Sequence, residues 1–131
     1  MYEVTARLRV RRGELEGFKR QAAQIMKAAR ELDTRTVRYD WFLSEDGTEC
    51  VVRENYADAD ALVEHAQHIA EARNALFRDF ADDHTVELYA EPSPALARAL
   101  EAMPPGAVNL KRFSQFQGLE SDAELVEDVR A

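Results

Sequence analysis

The spacing of apolar positions divides the first half of the chain into strands and a helix. Apolar and polar side chains alternate over residues 2–10, a period of two that is typical of a strand. From Glu14 to Leu32 apolar residues recur at intervals of three and four, which predicts an amphipathic helix of about five turns. Two runs rich in β-branched and aromatic residues follow at 36–44 and 49–56, and the intervening Asp46-Gly47 predicts a β-hairpin.

The second half of the chain shows the same two periods. Asp58 is a suitable N-cap for a second helix, whose apolar stripe runs over residues 61–80. Residues 84–91 predict a fourth strand, residues 94–103 a short helix between prolines, and residues 108–116 a fifth strand. The order of elements is therefore β-α-β-β-α-β, followed by a short helix and an extra strand.

This order predicts an α+β fold of the ferredoxin-like type. Two helices of this length in a βαββαβ arrangement pack on one face of an antiparallel sheet. The opposite face is then open, and a second copy of the chain is the partner that we expect to cover it. The side chains expected on that face are Thr5, Arg7, Arg9, Arg38, Asp40, Phe42, Arg53 and Asn55. We expect one domain over residues 1–119 and an acidic C-terminal tail over residues 120–131.

Composition and charge restrict the class of protein. The formal net charge is −8, and an acidic chain gains little from counterion release on a phosphate backbone, so nucleic acid is not an expected partner. No apolar run reaches the length of a membrane span, so no membrane is expected either. Cys50 is the only cysteine, which excludes an intrachain disulfide and favours a reducing compartment. We therefore expect a cytoplasmic protein.

The chain lacks the short motifs that bind common cofactors. It has no glycine-rich turn between a strand and a helix for a nucleotide, no cysteine pair for a metal cluster and no Gly-x-Ser-x-Gly elbow. His65 and His68 have a spacing that metal ligands use, but their side chains point about 60° apart around the helix. We expect neither a cofactor nor a metal ion.

Two aromatic side chains are candidates for a reaction site. His65 shares a helix face with Leu62 and Ile69, so its imidazole points at the sheet. It could be a core histidine bonded to a backbone carbonyl, or a neutral general base in an apolar cavity, since burial lowers its pKa. Trp41 shares a strand face with Tyr39 and could be a flat wall for an aromatic substrate or an anchor at a subunit interface. The residues alone leave both questions open.

The stretch from Thr36 to His65, "TVRYDWFLSEDGTECVVRENYADADALVEH", resembles the antibiotic biosynthesis monooxygenase family of dimeric α/β barrels. The resemblance rests on an aromatic strand, a Ser-x-Asp-Gly hairpin, a Glu-x-Tyr strand end, an acidic helix cap and a histidine in the next helix, and it extends over residues 2–91. It implies two ferredoxin-like subunits whose sheets face each other, each with a substrate cavity between its sheet and its helices. Characterised relatives oxidise polycyclic anthrones or quinols with molecular oxygen and without flavin, haem or metal; others degrade haem or rearrange a sugar phosphate.

The resemblance thus implies a cofactor-independent monooxygenase. Its expected partners are molecular oxygen, a small aromatic molecule and a second copy of the chain. His65 would be the catalytic base, and Trp41 and Tyr39 would pack against the substrate ring. The other residues expected to line the cavity are Phe18, Phe77, Phe80, His84 and Phe113. Glu54 matches the strand end of the family. It could orient a cavity residue or pair with an arginine across the sheet, and the ion pair is the role that we expect for it.

Two other functions stay open. A haem-degrading monooxygenase would use His65 as its iron ligand, but the first strand has no asparagine where such relatives carry one. A non-catalytic dimer that binds small molecules would be favoured by an apolar cavity whose only polar group is His65.

Overall fold

The computed structural model describes residues 1–120, and its elements follow the predicted order. They are β1 (Tyr2–Val10), α1 (Leu15–Leu32), β2 (Thr36–Leu43), β3 (Glu49–Tyr56), α2 (Ala59–Asp79), β4 (Ala81–Leu88), α3 (Pro94–Glu101) and β5 (Asn109–Arg112). The sheet has the strand order β2-β3-β1-β4-β5, in which only the β4–β5 pair is parallel. The first four strands and two helices confirm the ferredoxin-like α+β fold. The predicted acidic tail lies, apart from Glu120, outside the described residues.

One face of the sheet forms the core with α1 and α2. In β1 the side chains of Val4, Ala6 and Leu8 are buried, whereas those of Arg7 and Arg9 are exposed on the other face. The helices cover the apolar face with buried residues, which are Phe18, Ile25 and Ala29 from α1 and Ile69 and Leu76 from α2. Within residues 1–120, none of the helices combines the length and the hydropathy that a membrane-spanning segment needs.

Helix α2 begins where its cap predicts. The Asp58 side chain accepts a hydrogen bond from the Ala61 backbone N–H at 2.8 Å, which satisfies one of the free donors of the first turn. From this start, the helical repeat turns His65 toward the sheet, where the residue is only 2% exposed. The cap thus sets which side chains of α2 reach the interior.

The C-terminal strands differ from the sequence prediction. β4 begins at Ala81, three residues before the predicted start at His84, and Asp83 has a φ of 58°. The register of β1 against β4 shifts between Arg7 and Arg9, so this polar strand start contains an irregularity that hides the period of two. β5 is limited to residues 109–112, because it pairs only with β4 at the edge of the sheet.

The open face of the sheet has the predicted register. Thr5 and Asp40 both lie opposite Arg53, and the neighbouring Phe42 is 49% exposed. Several charges on this face are paired within the chain, for example Arg38 Nε with Asp40 Oδ2 at 2.6 Å, although Arg53 makes no ion pair within residues 1–120. A face that combines paired charges with an exposed aromatic ring suits a second, identical sheet better than bulk water.

We predict a homodimer formed through this open face. Sedimentation at micromolar concentration should give about twice the chain mass of 14.9 kDa. Phe42→Asp should shift the equilibrium toward monomer, because a buried carboxylate without a partner opposes association. A wild-type protein that sediments as a monomer would contradict the prediction.

Candidate active site

A cavity of about 840 Å³ lies between the sheet and helices α2 and α3. This volume is within the range of sites that bind small molecules. Most of its wall is aliphatic, from residues such as Ala6, Val52 and Leu100. The polar and aromatic residues that contribute to the wall include Tyr39, Trp41, Glu54, His65, Arg73, Phe77 and His84.

Asp33, which is not among the residues that line the cavity, binds His65 through the Nδ1 atom of the imidazole. The Asp33 carboxylate lies 2.6 Å from His65 Nδ1 and 2.7 Å from His68 Nδ1, and it also accepts a hydrogen bond from Thr36 Oγ1 at 2.7 Å. The side chains of Asp33 and His65 are 5% and 3% exposed, whereas that of His68 is 26% exposed. A carboxylate with three donors fixes the orientation of both rings.

The charges of this cluster determine which nitrogen of His65 can act as a base. Burial alone would raise the pKa of Asp33, but hydrogen bonds from His68, His65 and Thr36 outweigh it and lower that pKa below its ordinary value. Burial lowers the pKa of His65, against the opposing effect of Asp33. At neutral pH the ionised carboxylate can only accept hydrogen bonds, so the proton of neutral His65 resides on Nδ1. Nε2 is left with its lone pair, buried and without a hydrogen-bond partner in residues 1–120.

Aromatic rings surround this imidazole. Tyr39 contacts the His65 ring edge-on with the centroids 4.4 Å apart, and Tyr56 lies at 5.3 Å. Trp41 packs edge-on against Tyr39 at 5.8 Å and is backed by Phe18 at 6.1 Å. The register of β2 therefore turns Trp41 toward the helices rather than toward a subunit interface.

Glu54 is a second titratable group in the wall, and its predicted ion pair is wrong. Its carboxylate accepts a hydrogen bond from the Tyr56 hydroxyl and makes no ion pair with any residue in 1–120. The alternation of β3 places Glu54 on the same face as Val52 and Tyr56, away from the arginines of the open face. Burial raises the pKa of Glu54 to about 7, although the Tyr56 hydrogen bond opposes this shift.

The raised pKa of Glu54 gives a prediction for stability. The carboxyl keeps its proton in the folded protein up to about pH 7, whereas it loses it near 4.5 when unfolded. The folded state therefore binds more protons between these values, and the free energy of unfolding should fall across that window and then level off. Glu54→Gln removes the titration and should be more stable than wild type at pH 8 by on the order of 3 kcal/mol, with the difference much smaller at pH 4.5. Urea unfolding at the two pH values measures it, and a difference that is independent of pH would contradict it.

The structure brings together most, but not all, of the residues predicted for the site. Tyr39, Trp41, His65, Phe77 and His84 line the cavity. The His84 ring stacks on Phe77 with centroids 4.4 Å apart, and burial, with a further contribution from Arg73, lowers its pKa to about 4. These five side chains therefore line one cavity, and His84 is neutral there at physiological pH.

Three predicted cavity residues lie elsewhere. Phe18 is 2% exposed and packs behind Trp41 in the core. Phe80 ends α2 and lies against Gly17, where a Cβ atom would come within 2.3 Å of its ring. Phe113 follows β5, is 47% exposed and stacks on Tyr89. The first two are required by helix packing, and the third lies beyond the end of the sheet.

Sequence reasoning missed Asp33 and Arg73. The apolar repeat predicts only that the helix ends at Leu32, and Asp33 is the C-cap residue that follows. An acid at the negative end of a helix dipole is unfavourable, and this was the available signal that the carboxylate has another partner. Arg73 carries no such signal, because a cation in a long amphipathic helix ordinarily lies on the solvated face.

Among residues 1–120 no group of three or more His, Cys, Asp or Glu side chains is arranged to hold a metal ion.

The comparisons with known proteins agree with this architecture. The sequence model of the family described as antibiotic biosynthesis monooxygenase matches residues 1–83. The solved structure of MupZ from Pseudomonas fluorescens superposes with a TM-score of 0.71 and 22% identity, covering 93% of this chain and 95% of that chain. An antibiotic biosynthesis monooxygenase superposes with a TM-score of 0.62 and 19% identity over 71% of this chain and 100% of that chain. The protein SO0527 from Shewanella oneidensis superposes with a TM-score of 0.60 and 19% identity, covering 69% of this chain and 89% of that chain.

At these identities the solved structures establish the fold alone. The likeness to MupZ covers 93% of this chain, whereas the other two structures cover 71% and 69% of it. None of the curated proteins matches the chain in sequence.

Proposed function

This chain belongs to the antibiotic biosynthesis monooxygenase family, and we propose that it is a cofactor-independent monooxygenase that oxidises an aromatic quinol or anthrone with molecular oxygen. One observation carries the proposal. His65 is held through Nδ1 by Asp33, and its unpartnered Nε2 belongs to a residue in the wall of a cavity with aromatic sides. A substrate hydroxyl or acidic C–H that reaches Nε2 would give this atom the hydrogen-bond partner that it lacks.

An electron-rich anthrone needs little from the protein once it is ionised. Its anion can pass an electron directly to oxygen, so the protein supplies a base, a dry pocket and donors for the developing charge. One atom of O₂ becomes the new carbonyl of the ring, and the other leaves as water with the two hydrogens of the methylene carbon. Atoms and electrons balance without a further reductant.

Different residues of the site have different roles in this reaction. Nε2 of His65 takes the proton, and Asp33 stabilises the imidazolium that forms. Tyr39 and Trp41 pack against the ring, and the buried Trp41 Nε1–H, which makes no hydrogen bond within residues 1–120, can donate to the substrate oxyanion. Glu54, which keeps its proton up to about pH 7, can protonate the oxygen that leaves as water.

The other two functions are less well supported. A cavity whose only polar group is His65 would favour a purely binding protein, but Glu54 and Arg73 also line this cavity. Haem degradation is disfavoured by β1, which has no asparagine where haem-degrading relatives carry one. Both observations favour acid–base chemistry on a small aromatic molecule.

We expect turnover to follow a bell-shaped pH profile. The base form of His65 is the neutral one, and burial lowers its pKa below the ordinary 6.5, so turnover should rise with pH and be half-maximal below 6.5. The acid form of Glu54 is lost near pH 7, so turnover should fall again there. Initial rates from pH 4.5 to 9 measure both limbs. The falling limb should be absent in Glu54→Gln, and its persistence there would remove Glu54 from the mechanism.

The proposal is tested with purified protein and a set of anthrones and quinols. Oxygen uptake is followed with an electrode, without added flavin, haem or metal, and the product of an anthrone is analysed by mass spectrometry after reaction under ¹⁸O₂. One ¹⁸O atom in the new carbonyl, at a rate proportional to protein concentration, is the expected result. No protein-dependent uptake with any member of the set would overturn the proposal.

A further inference from the structure

Arg73 is a cation inside the cavity wall without an anion to balance it. Its side chain lines the cavity and makes no ion pair or hydrogen bond within residues 1–120. Several other arginines in these residues are also unpaired, but each of them is exposed: Arg12, Arg20, Arg30, Arg53, Arg98 and Arg112. Arg73 alone among this group is half-buried.

This arrangement is costly for the empty protein. Burial lowers the pKa of Arg73, because the charged form loses hydration, and Tyr39 only partly offsets that effect. Buried guanidinium groups in proteins are ordinarily paired with a carboxylate or phosphate. Glu54 is the only acid among the described residues that line the cavity, and it forms no ion pair with Arg73.

The neighbours of Arg73 also leave it without compensation. Its charge acts on Tyr39, His65 and His84, and it lowers the pKa of both histidines. None of these groups is an anion near neutral pH. No described residue that lines the cavity therefore neutralises the guanidinium, and an anionic ligand bound there would do so.

The spacing along α2 indicates the size of that molecule. Arg73 lies two turns beyond His65, a rise of about 12 Å along the helix axis. A ligand that touches both side chains must be elongated, and a cavity of about 840 Å³ has room for three fused rings with a substituent.

We propose that Arg73 binds a carboxylate of the substrate, so that the molecule oxidised at His65 is an aromatic acid. A single unpaired guanidinium matches one monoanion and can form two parallel hydrogen bonds with it. A phosphate dianion would need further positive charge, but the other arginine in the wall, Arg78, is paired with Asp79 at 3.0 Å. The aromatic part of this assignment rests on the proposed function, whereas the anion site rests on Arg73 itself.

The test compares two ligands of nearly the same shape, one with a charged carboxylate and the other with a neutral carboxamide. Anthraquinone-2-carboxylate and its carboxamide are titrated into the protein, and the fluorescence of Trp41, the only tryptophan and a wall residue, reports occupancy. The wild type should bind the carboxylate about ten- to a hundredfold more tightly than the carboxamide. Arg73→Gln should remove this preference, and Arg73→Lys should retain part of it, because an ammonium keeps the charge but not the paired geometry.

Arg20→Gln is the matched control, because it removes the same charge from an exposed position on α1. It should keep the wild-type preference for the carboxylate. Equal affinity of the wild type for both ligands, absence of binding by both, or an unchanged preference in Arg73→Gln would each overturn the proposal. A thermal midpoint of unfolding for Arg73→Gln well below that of Arg20→Gln would also overturn the proposal, because Arg73 would then stabilise the fold. The binding titration needs no oxygen, so its result can be interpreted even if the oxygenase assay fails.

Discussion

His65→Gln should lower turnover by about 10²–10⁴-fold, the usual contribution of a positioned general base, while the fold and the dimer persist. Glutamine is similar in reach to histidine and can keep a hydrogen bond to Asp33, but its amide does not accept a proton near neutral pH. The loss should therefore appear in kcat, with a smaller change in KM. Steady-state oxygen uptake gives both constants, and circular dichroism verifies the fold.

His68→Gln is the matched control for this experiment. His68 bonds to the same carboxylate at 2.7 Å, but it is not among the residues that line the cavity. Its replacement should lower turnover by less than about tenfold, because one of three hydrogen bonds to Asp33 is altered and the base remains. Equal losses in the two variants would show that the cluster as a whole, rather than His65, is required. Unchanged turnover in His65→Gln would make His65 a core residue.

The fold was largely predictable because its signals are local. The alternation in β1 and the aromatic and β-branched run of β3 gave the observed bounds of both strands, Tyr2–Val10 and Glu49–Tyr56. The Asp58 cap set the start of α2 and with it the face on which His65 lies. Short-range patterns determine such features before any tertiary contact is known. The start of β4 was missed, since its polar residues and the irregularity near Asp83 carry no clear period.

The chemistry of the site was less predictable because it depends on distant contacts. Asp33 and His65 are 32 residues apart, and only the packing of α1 against α2 brings the carboxylate to the imidazole. The face on which Glu54 lies follows from the alternation of β3, but its raised pKa follows from burial, which only the tertiary packing determines. For two large aromatic residues the sequence prediction made the opposite error, because it assigned core residues to the site. Phe18 and Phe80 satisfy the same periodicity as cavity residues, and only the close packing near Gly17 assigns them to the core.

Asp33→Asn should reduce turnover by about 10²-fold or more and move the rising limb of the pH profile to lower pH. Asp33 does not touch the substrate, so it acts as a positioning residue through His65. The asparagine carries no charge to stabilise the imidazolium, which lowers the pKa of His65 further and makes it a weaker base. Its single carbonyl oxygen also cannot replace two carboxylate oxygens that accept from His65, His68 and Thr36.

The direction of the pH shift separates this mechanism from simple loss of structure. Weaker hydrogen bonding to the buried side chain should cost about 1–3 kcal/mol of stability, which chemical denaturation measures independently. Thr36→Val is the control, because it removes the hydroxyl that donates to Asp33 Oδ2 at 2.7 Å and leaves the carboxylate charge in place. It should be destabilised by a similar amount but keep the wild-type pH profile and most of the turnover. If both variants lose activity in proportion to stability, with no shift of the rising limb in Asp33→Asn, then the carboxylate supports the fold and does not tune the base.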